Sequence, residues 1–245
     1  MKIKTVIFNH NQCETAEPLF HQLSTVFDTA LFDSQSDQGQ VSSFTTHHFD
    51  NLYYTGCWNK AFELFPDFDV IWGIGGDCSL KCRPEEYRQA IESIYPFGLW
   101  SPTISGRAHD YMRPELALKR IFSVLFLEGM AMAISKELWT AVEPLDPVDF
   151  IGYSHDRRLS YLSRQMKLKN ILDGRVELYH PPSESYDKEQ AKQLMDKSLT
   201  EIFGPEWSDT LDWWPERRLS FLANAVSQVV LSDGARKLLA PFHRK

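Results

Sequence analysis

The chain holds little that would staple it, anchor it or load it with one sign of charge. Four cysteines (Cys13, Cys57, Cys78 and Cys82) all lie in its first third. Cys78 and Cys82 are spaced C-x3-C, but a zinc module needs two further ligands close by. His47 and His48 stand at no familiar zinc spacing, so ordinary thiols are expected. No apolar run approaches the roughly 20 residues of a membrane helix; the longest, around Ile121 to Leu127, meets Glu128 at once. Positive charge is not in excess: a net charge of −7 argues against a nucleic-acid partner. A phosphate loop is also missing, since FNHNQCETAEP has neither glycine nor lysine, which counts against nucleotidyltransferase-type chemistry. No repeat, low-complexity segment or clear linker is seen. The opening MKIKTVIFNHNQ turns polar too soon for a secretory leader and reads as a first strand, so a cytoplasmic location is expected.

What is present is material for one large core. Of 245 residues, 43% are hydrophobic and 13% aromatic, enough to bury a core without staples. The first half alternates strand and helix. Ile3 to Phe8, Thr29 to Phe32, Phe44 to Phe49, Val70 to Ile74 and Phe97 to Trp100 read as strands from their β-branched and apolar content. Ala16, Leu19, Leu23 and Val26, then Trp58, Ala61, Phe62 and Phe65, then Tyr87, Ile91 and Ile94, have the spacing of buried helix faces. Pro84 suits the first turn of the third helix. This order predicts an α/β fold, a mostly parallel sheet flanked by helices.

In such sheets ligands bind beyond the carboxyl ends of the strands. Asn9, Asn11, Asp33, Ser34 and Asp77 are therefore expected along one edge. Asp77 follows a buried strand and the pair Gly75-Gly76; it reads either as a ligand for Mg²⁺ or Mn²⁺ or as a cap of the next turn. Asn9, Asn11 and Asp33 read either as donors and acceptors for a ligand or as turn stabilisers.

The second half is less regular. Ser101 to Arg113 reads as a polar loop, with Arg107 and His109 near its middle. Lys136 to Val142 reads as a short helix. FIGYSHD, from Phe150 to Asp156, is an apolar entry into a polar turn, where Asp156 is either a general base or the N-cap of the helix that follows. Val176 to Tyr179 is a strand ending at His180. A helix runs from Asp187 to Phe203 and stops at Gly204-Pro205. A last helix is expected from Pro215 to Leu231, before a basic tail. Trp213 and Trp214 could stack on a sugar or pack on that helix. Peripheral membrane association through the tail is not the favoured reading.

Taken together, TVIFNHNQ, LFDSQSD, YYTGCWNKAFEL, DFDVIWGIGGDCSL, VLFLEGMAMAIS and GYSHDRRLSYLSRQMKLKNILDGRVELYHP follow an order that resembles the family 2-like glycosyltransferases of the GT-A fold. The resemblance runs from about Thr5 to Tyr186. It implies a GT-A-like domain over residues 1–204 and a C-terminal helical extension over 205–245. It also implies transfer of a sugar from a nucleotide-diphosphate donor to a hydroxyl of a saccharide, lipid or polysaccharide, by an inverting reaction that depends on Mn²⁺ or Mg²⁺. Asn9, Asn11, Asp33, Ser34, Asn59, Gly76 and Asp77 would hold the nucleotide sugar. Asp77 and His180 would hold the metal, and Asp156 would be the catalytic base. Two departures stand out: the family usually carries two acids around a spacer where this chain has Gly75-Gly76-Asp77, and many relatives carry adjacent acids where this chain has only Asp156. Both also fit a catalytically silent sugar-nucleotide-binding or scaffold protein on the same fold.

Overall fold

The computed structural model describes residues 1–210 apart from 107, 109–111, 118, 143 and 183–186. Arg107, His109, Trp213, Trp214, the helix expected after Pro215 and the basic tail lie outside the described residues. In chain order the elements are β1 (Ile3–Asn9), α1 (Cys13–Ser24), β2 (Asp28–Ser34), β3 (His47–Phe49), α2 (Tyr53–Leu64), β4 (Val70–Gly75), β5 (Ser79–Leu80), α3 (Pro84–Ile94) and β6 (Leu99–Gly106). Then come α4 (Pro114–Ala117), β7 (Ile121–Ser123), a 3-10 turn (Gly129–Ala131), β8 (Ala133–Ser135), α5 (Lys136–Val142), α6 (His155–Gln165), β9 (Asn170–His180), α7 (Lys188–Phe203) and α8 (Trp207–Thr210).

The strands form one sheet in the order β3-β2-β1-β4-β8-β6-β9-β5, with β7 also paired to β9. The pairs β1–β2, β1–β4, β2–β3 and β6–β9 are parallel. β8 enters antiparallel between β4 and β6, and β5 and β7 pair antiparallel with β9. The sheet is thus mixed, parallel through its first half and reversed at β8.

The expected helix faces are the buried ones: Ala16, Leu19 and Leu23 on α1, Trp58, Ala61 and Phe62 on α2, Tyr87 and Ile91 on α3. Val26 falls beyond the end of α1. Trp58, Trp72, Trp100 and Trp139 are fully enclosed, and Trp139 stacks on Phe62 at 3.7 Å. Each large apolar side chain buried in this way contributes roughly 1.5–3 kcal/mol, so the four indoles and their neighbours fix the layers around the sheet.

Three expectations change. Ser101 to Gly106 is not a loop but the outer part of β6, paired with β9 across a register shift between Pro102 and Thr103. The strand expected over Phe44 to Phe49 forms only at its end, His47–Phe49. The strand expected at Val176 begins at Asn170. Among the described residues no helix is long and apolar enough to cross a membrane.

Candidate active site

The parallel register of β1, β2 and β4 brings their carboxyl ends to one edge. Asn9 sits opposite Asp33, and Gly76 N donates to Phe8 O at 2.8 Å just past β4. Among the described residues, Asn11, Gln35 and Tyr53 all have positive φ, and they follow β1, follow β2 and open α2. Asparagine tolerates that conformation, whereas at Gln35 and Tyr53 it marks strain that the surrounding structure must hold.

Most polar residues expected here are tied to one another. Asn9 is 1% exposed, and its amide nitrogen faces Asp33 Oδ1 at 3.0 Å, Ser36 Oγ at 3.2 Å and Gln40 O at 3.2 Å. Its oxygen accepts from Gln12 N at 3.0 Å. Asn11 and Asp37 clasp each other: Asn11 Nδ2 donates to Asp37 Oδ2 at 3.1 Å, and Asp37 N donates to Asn11 Oδ1 at 2.6 Å. Asp33 also accepts from Ser36 N, and His48 lies 3.7 Å from its Oδ2. Ser34 Oγ accepts from Leu52 N at 2.9 Å, fastening the entry to α2. These residues build the wall of the edge.

Asn59 is not at that edge. Its amide nitrogen donates to Leu145 O at 3.1 Å and its oxygen accepts from Leu145 N at 2.8 Å. With both ends of the amide occupied by one backbone, Asn59 fastens the segment ahead of FIGYSHD to α2, and a direct contact with a donor has no support.

The acid corner is different. Gly76 is enclosed: a Cβ there would stand 2.9 Å from Phe8 O and 3.3 Å from Asn9 Cα, and Gly76 O accepts from Thr15 Oγ1 at 2.6 Å. Only glycine fits so close to β1. A Cβ on Gly75 would stand 2.9 Å from Asp77 Oδ1. Across the corner, the end of β9 delivers His180, whose Nε2 is 3.2 Å from Asp77 Oδ2, the two side chains being 13% and 16% exposed. Gly106, the last residue of β6, is in register with His180. Neither residue predicts the other from spacing, yet the sheet brings them together. Among the described residues no group of three or more His, Cys, Asp or Glu side chains is arranged around a metal.

Asp156 lies in the first turn of α6. Its side chain is 14% exposed, with Arg157 Nη1 3.6 Å from Oδ1 and Arg157 N donating to the same oxygen at 2.7 Å. Burial pushes its pKa up to about 8, against the pull of Arg157, and the nearby charge of Glu128 adds to the rise. A carboxyl shielded from water resists ionisation.

Sequence reasoning missed the residue that organises this side. Tyr54 Oη donates to Gly129 O at 2.5 Å. A Cβ on Gly129 would strike that hydroxyl, and one on Gly152, at φ +92, would strike the ring edge at Cδ1. Tyr54 is therefore wedged between the LEGMA segment and the FIGYSHD segment. Two glycines at the contact were its only trace in the sequence. Asp149, fully buried, holds the second segment in shape by accepting from the backbone N–H of Gly152 and of Ser154.

No protein-family model matches the chain, and no curated protein does. Solved structures do. The chain is similar to GalNAc-T7 crystallised with UDP, GalNAc and Mn²⁺, with a TM-score of 0.64 and 14% identity over 98% of this chain and 54% of that one. It is also similar to the mannosyltransferase PcManGT from Pyrobaculum calidifontis in complex with GDP-Man and Mn²⁺, with a TM-score of 0.60 and 12% identity over 98% and 79%. The fold is the GT-A fold. A third GT-A neighbour is TarS 1-349 of S. aureus in complex with UDP-GlcNAc, with a TM-score of 0.54 and 12% identity over 98% and 86%. The chain spans about half the length of the GalNAc-T7 chain it matches. At these identities the likeness is one of GT-A architecture, and the chemistry must be argued from the residues.

Proposed function

We propose that this protein is a glycosyltransferase that moves a sugar from a nucleotide-diphosphate donor to a hydroxyl of a glycan or lipid-linked acceptor, with inversion and with help from a divalent cation. The observation that carries the reading is the meeting of Asp77 and His180 at the carboxyl edge of a GT-A sheet. Two neighbours on this fold support it: GalNAc-T7 was crystallised with UDP, GalNAc and Mn²⁺, and PcManGT was solved in complex with GDP-Man and Mn²⁺.

The donor set fits such an ion. A carboxylate oxygen and an imidazole nitrogen suit Mn²⁺, with a diphosphate and water as the remaining ligands, whereas Mg²⁺ favours oxygen alone. An ion held by Asp77 and His180 would supply positive charge to the departing diphosphate. Gly75 and Gly76 put no side chain in the way of the donor at that corner. Asn9, Asn11, Asp33 and Ser34 hold the edge in shape on the nucleoside side, chiefly through bonds to one another and to the loop Gln35 to Gln40.

Asp156 is the base. The acceptor oxygen attacks the anomeric carbon from the face opposite the diphosphate. As the new carbon–oxygen bond forms, the bond to the phosphate oxygen breaks with its electron pair, and the acceptor proton passes to Asp156. A carboxyl whose pKa lies near 8 is a stronger base than an exposed aspartate and is matched to proton transfer near neutrality.

The test is a screen of sugar nucleotides with Mn²⁺, read by release of the free nucleoside diphosphate with and without saccharide acceptors. Release with one donor class, abolished by Asp156→Asn, supports the reading. Tight nucleotide binding with no release from any donor would favour the silent binding protein instead.

A further inference from the structure

A buried polar cluster between the donor edge and Asp156 takes no part in the transfer step described above. His155, 1% exposed, directly precedes Asp156. Its Nε2 lies 2.7 Å from Thr55 Oγ1 and 3.0 Å from Asp149 O. The Thr55 hydroxyl has one proton and gives it to Asp149 O at 2.5 Å, so towards the ring it can only accept. Nε2 therefore carries hydrogen. Burial holds the imidazole pKa below its ordinary value despite the Asp149 charge; Asp146 and Arg158 are the other charges nearby. Burial thus favours the neutral ring, whose bare Nδ1 is enclosed with no hydrogen-bond partner among the described residues. Leaving a buried acceptor unpaired costs roughly 1–3 kcal/mol. A position that only filled space would be better served by an apolar ring.

The neighbours of this cluster say what the imidazole does. Thr55 lies in the first turn of α2, whose entry is fastened to Ser34 at the donor edge. The same turn carries Tyr54, wedged against Gly129 and Gly152, and Thr55 N donates to Phe150 O at 3.2 Å. One helical turn therefore touches the donor edge and both segments of the acceptor side. The imidazole is its link to the start of α6.

We propose that His155 is a positioning residue for Asp156: its Nε2–H, shared between Thr55 Oγ1 and Asp149 O, locks the start of α6 against α2 and so sets where the carboxyl stands. The role in transfer rests on Asp156 being the base; the mechanical link does not. Without the donor on His155 the start of α6 loosens, and water reaches the Asp156 carboxyl.

The experiment needs no substrate. Protein labelled with ¹³C-aspartate is titrated by NMR, and the Asp156 carboxyl is assigned by its loss in Asp156→Asn. Wild type and His155→Gln, whose amide can donate in place of Nε2, should titrate Asp156 at about 8. His155→Phe keeps a ring without a donor, and Thr55→Val removes the acceptor at nearly constant volume. Both should lower the midpoint by roughly one pH unit or more as solvation returns. A folded His155→Phe with an unmoved midpoint overturns the proposal, as does a His155→Gln displaced as far as the phenylalanine variant. Should His155→Phe not fold, Thr55→Val decides, and an unmoved midpoint there rejects the link. If these shifts appear while no donor is ever consumed, the transferase reading falls and the positioning of the carboxyl stands.

Discussion

Asp77 Oδ2 and His180 Nε2 are 3.2 Å apart, although one residue ends the turn after β4 and the other ends β9. A carboxylate and an imidazole at this separation can share a cation between them once a diphosphate completes the set. A nucleoside diphosphate with Mn²⁺ is expected to raise the melting temperature. At a free ligand concentration a hundred times Kd the gain is about 2.7 kcal/mol. Asp77→Ala and His180→Ala should each remove the Mn²⁺-dependent part and leave the melting temperature without ligand close to wild type. Differential scanning fluorimetry with and without EDTA checks this. An unchanged Mn²⁺ increment in either variant would remove that residue from the ligand set.

Transfer should speed up with alkalinity. As the proposed base, Asp156 would have to be ionised to accept a proton, and its pKa is raised to about 8 by burial. Below that value the ionised fraction grows tenfold per pH unit, so log kcat/KM should climb with a slope near one and level off above about 8. Steady-state rates between pH 6 and pH 10 with a saturating metal give the profile. A flat profile over that span would show that another group takes the proton.

The same shift bears on stability with the opposite sign. In the unfolded chain Asp156 ionises near 3.9, while in the fold it holds its proton up to about 8. Between these values the folded state binds the extra proton, so Asp156 favours folding at low pH. That contribution fades by about 1.4 kcal/mol per pH unit as pH rises. Asp156→Asn, which cannot ionise, should be nearly neutral at about pH 3, below the unfolded pKa, and clearly stabilising at about pH 8.5. Urea unfolding at the two pH values makes the comparison.

Gly152 answers to Tyr54. Its φ of +92 and the ring edge in front of it leave no place for a methyl group. Gly152→Ala should destabilise by about 1–3 kcal/mol, part from the backbone and part from the ring. In a Tyr54→Ala background the ring part disappears, so the two substitutions should be less than additive by roughly 0.5–2 kcal/mol. Strict additivity in a double-mutant cycle would mean that the ring does not set this turn.

The half of the fold that could be read from sequence is the half where pattern and burial agree. β1, β2 and β4 are runs of apolar and β-branched residues that end in polar ones, and their parallel pairing put Asn9, Asp33 and Asp77 on one edge as expected. β6 broke that rule. Ser101, Pro102, Thr103 and Ser105 read as a loop, yet Ser101 and Thr103 are fully buried and Thr103 Oγ1 donates to Val176 O at 2.9 Å. Polar strand residues that satisfy themselves inside a sheet leave no periodic signal. Pro102 is tolerated because it sits at the register shift. Asn59 misled for a related reason, since its amide serves a neighbouring backbone. Asp149, Thr55 and His155 were hidden altogether: each is polar yet buried, through contacts between α2 and the start of α6 with the segment ahead of it that no local spacing encodes.

Gly75 sets a limit on redesign. The acid corner looks impoverished beside a pair of carboxylates, and the obvious repair is to supply the second one at position 75. The backbone there would place the new Cβ 2.9 Å from Asp77 Oδ1. The resident carboxylate would have to swing aside, and two like charges would then contend for the same few ångströms. A Gly75→Asp chain would therefore displace the Asp77 carboxylate and loosen its pairing with His180. At this corner a second acid and the Asp77–His180 pair compete for the same space.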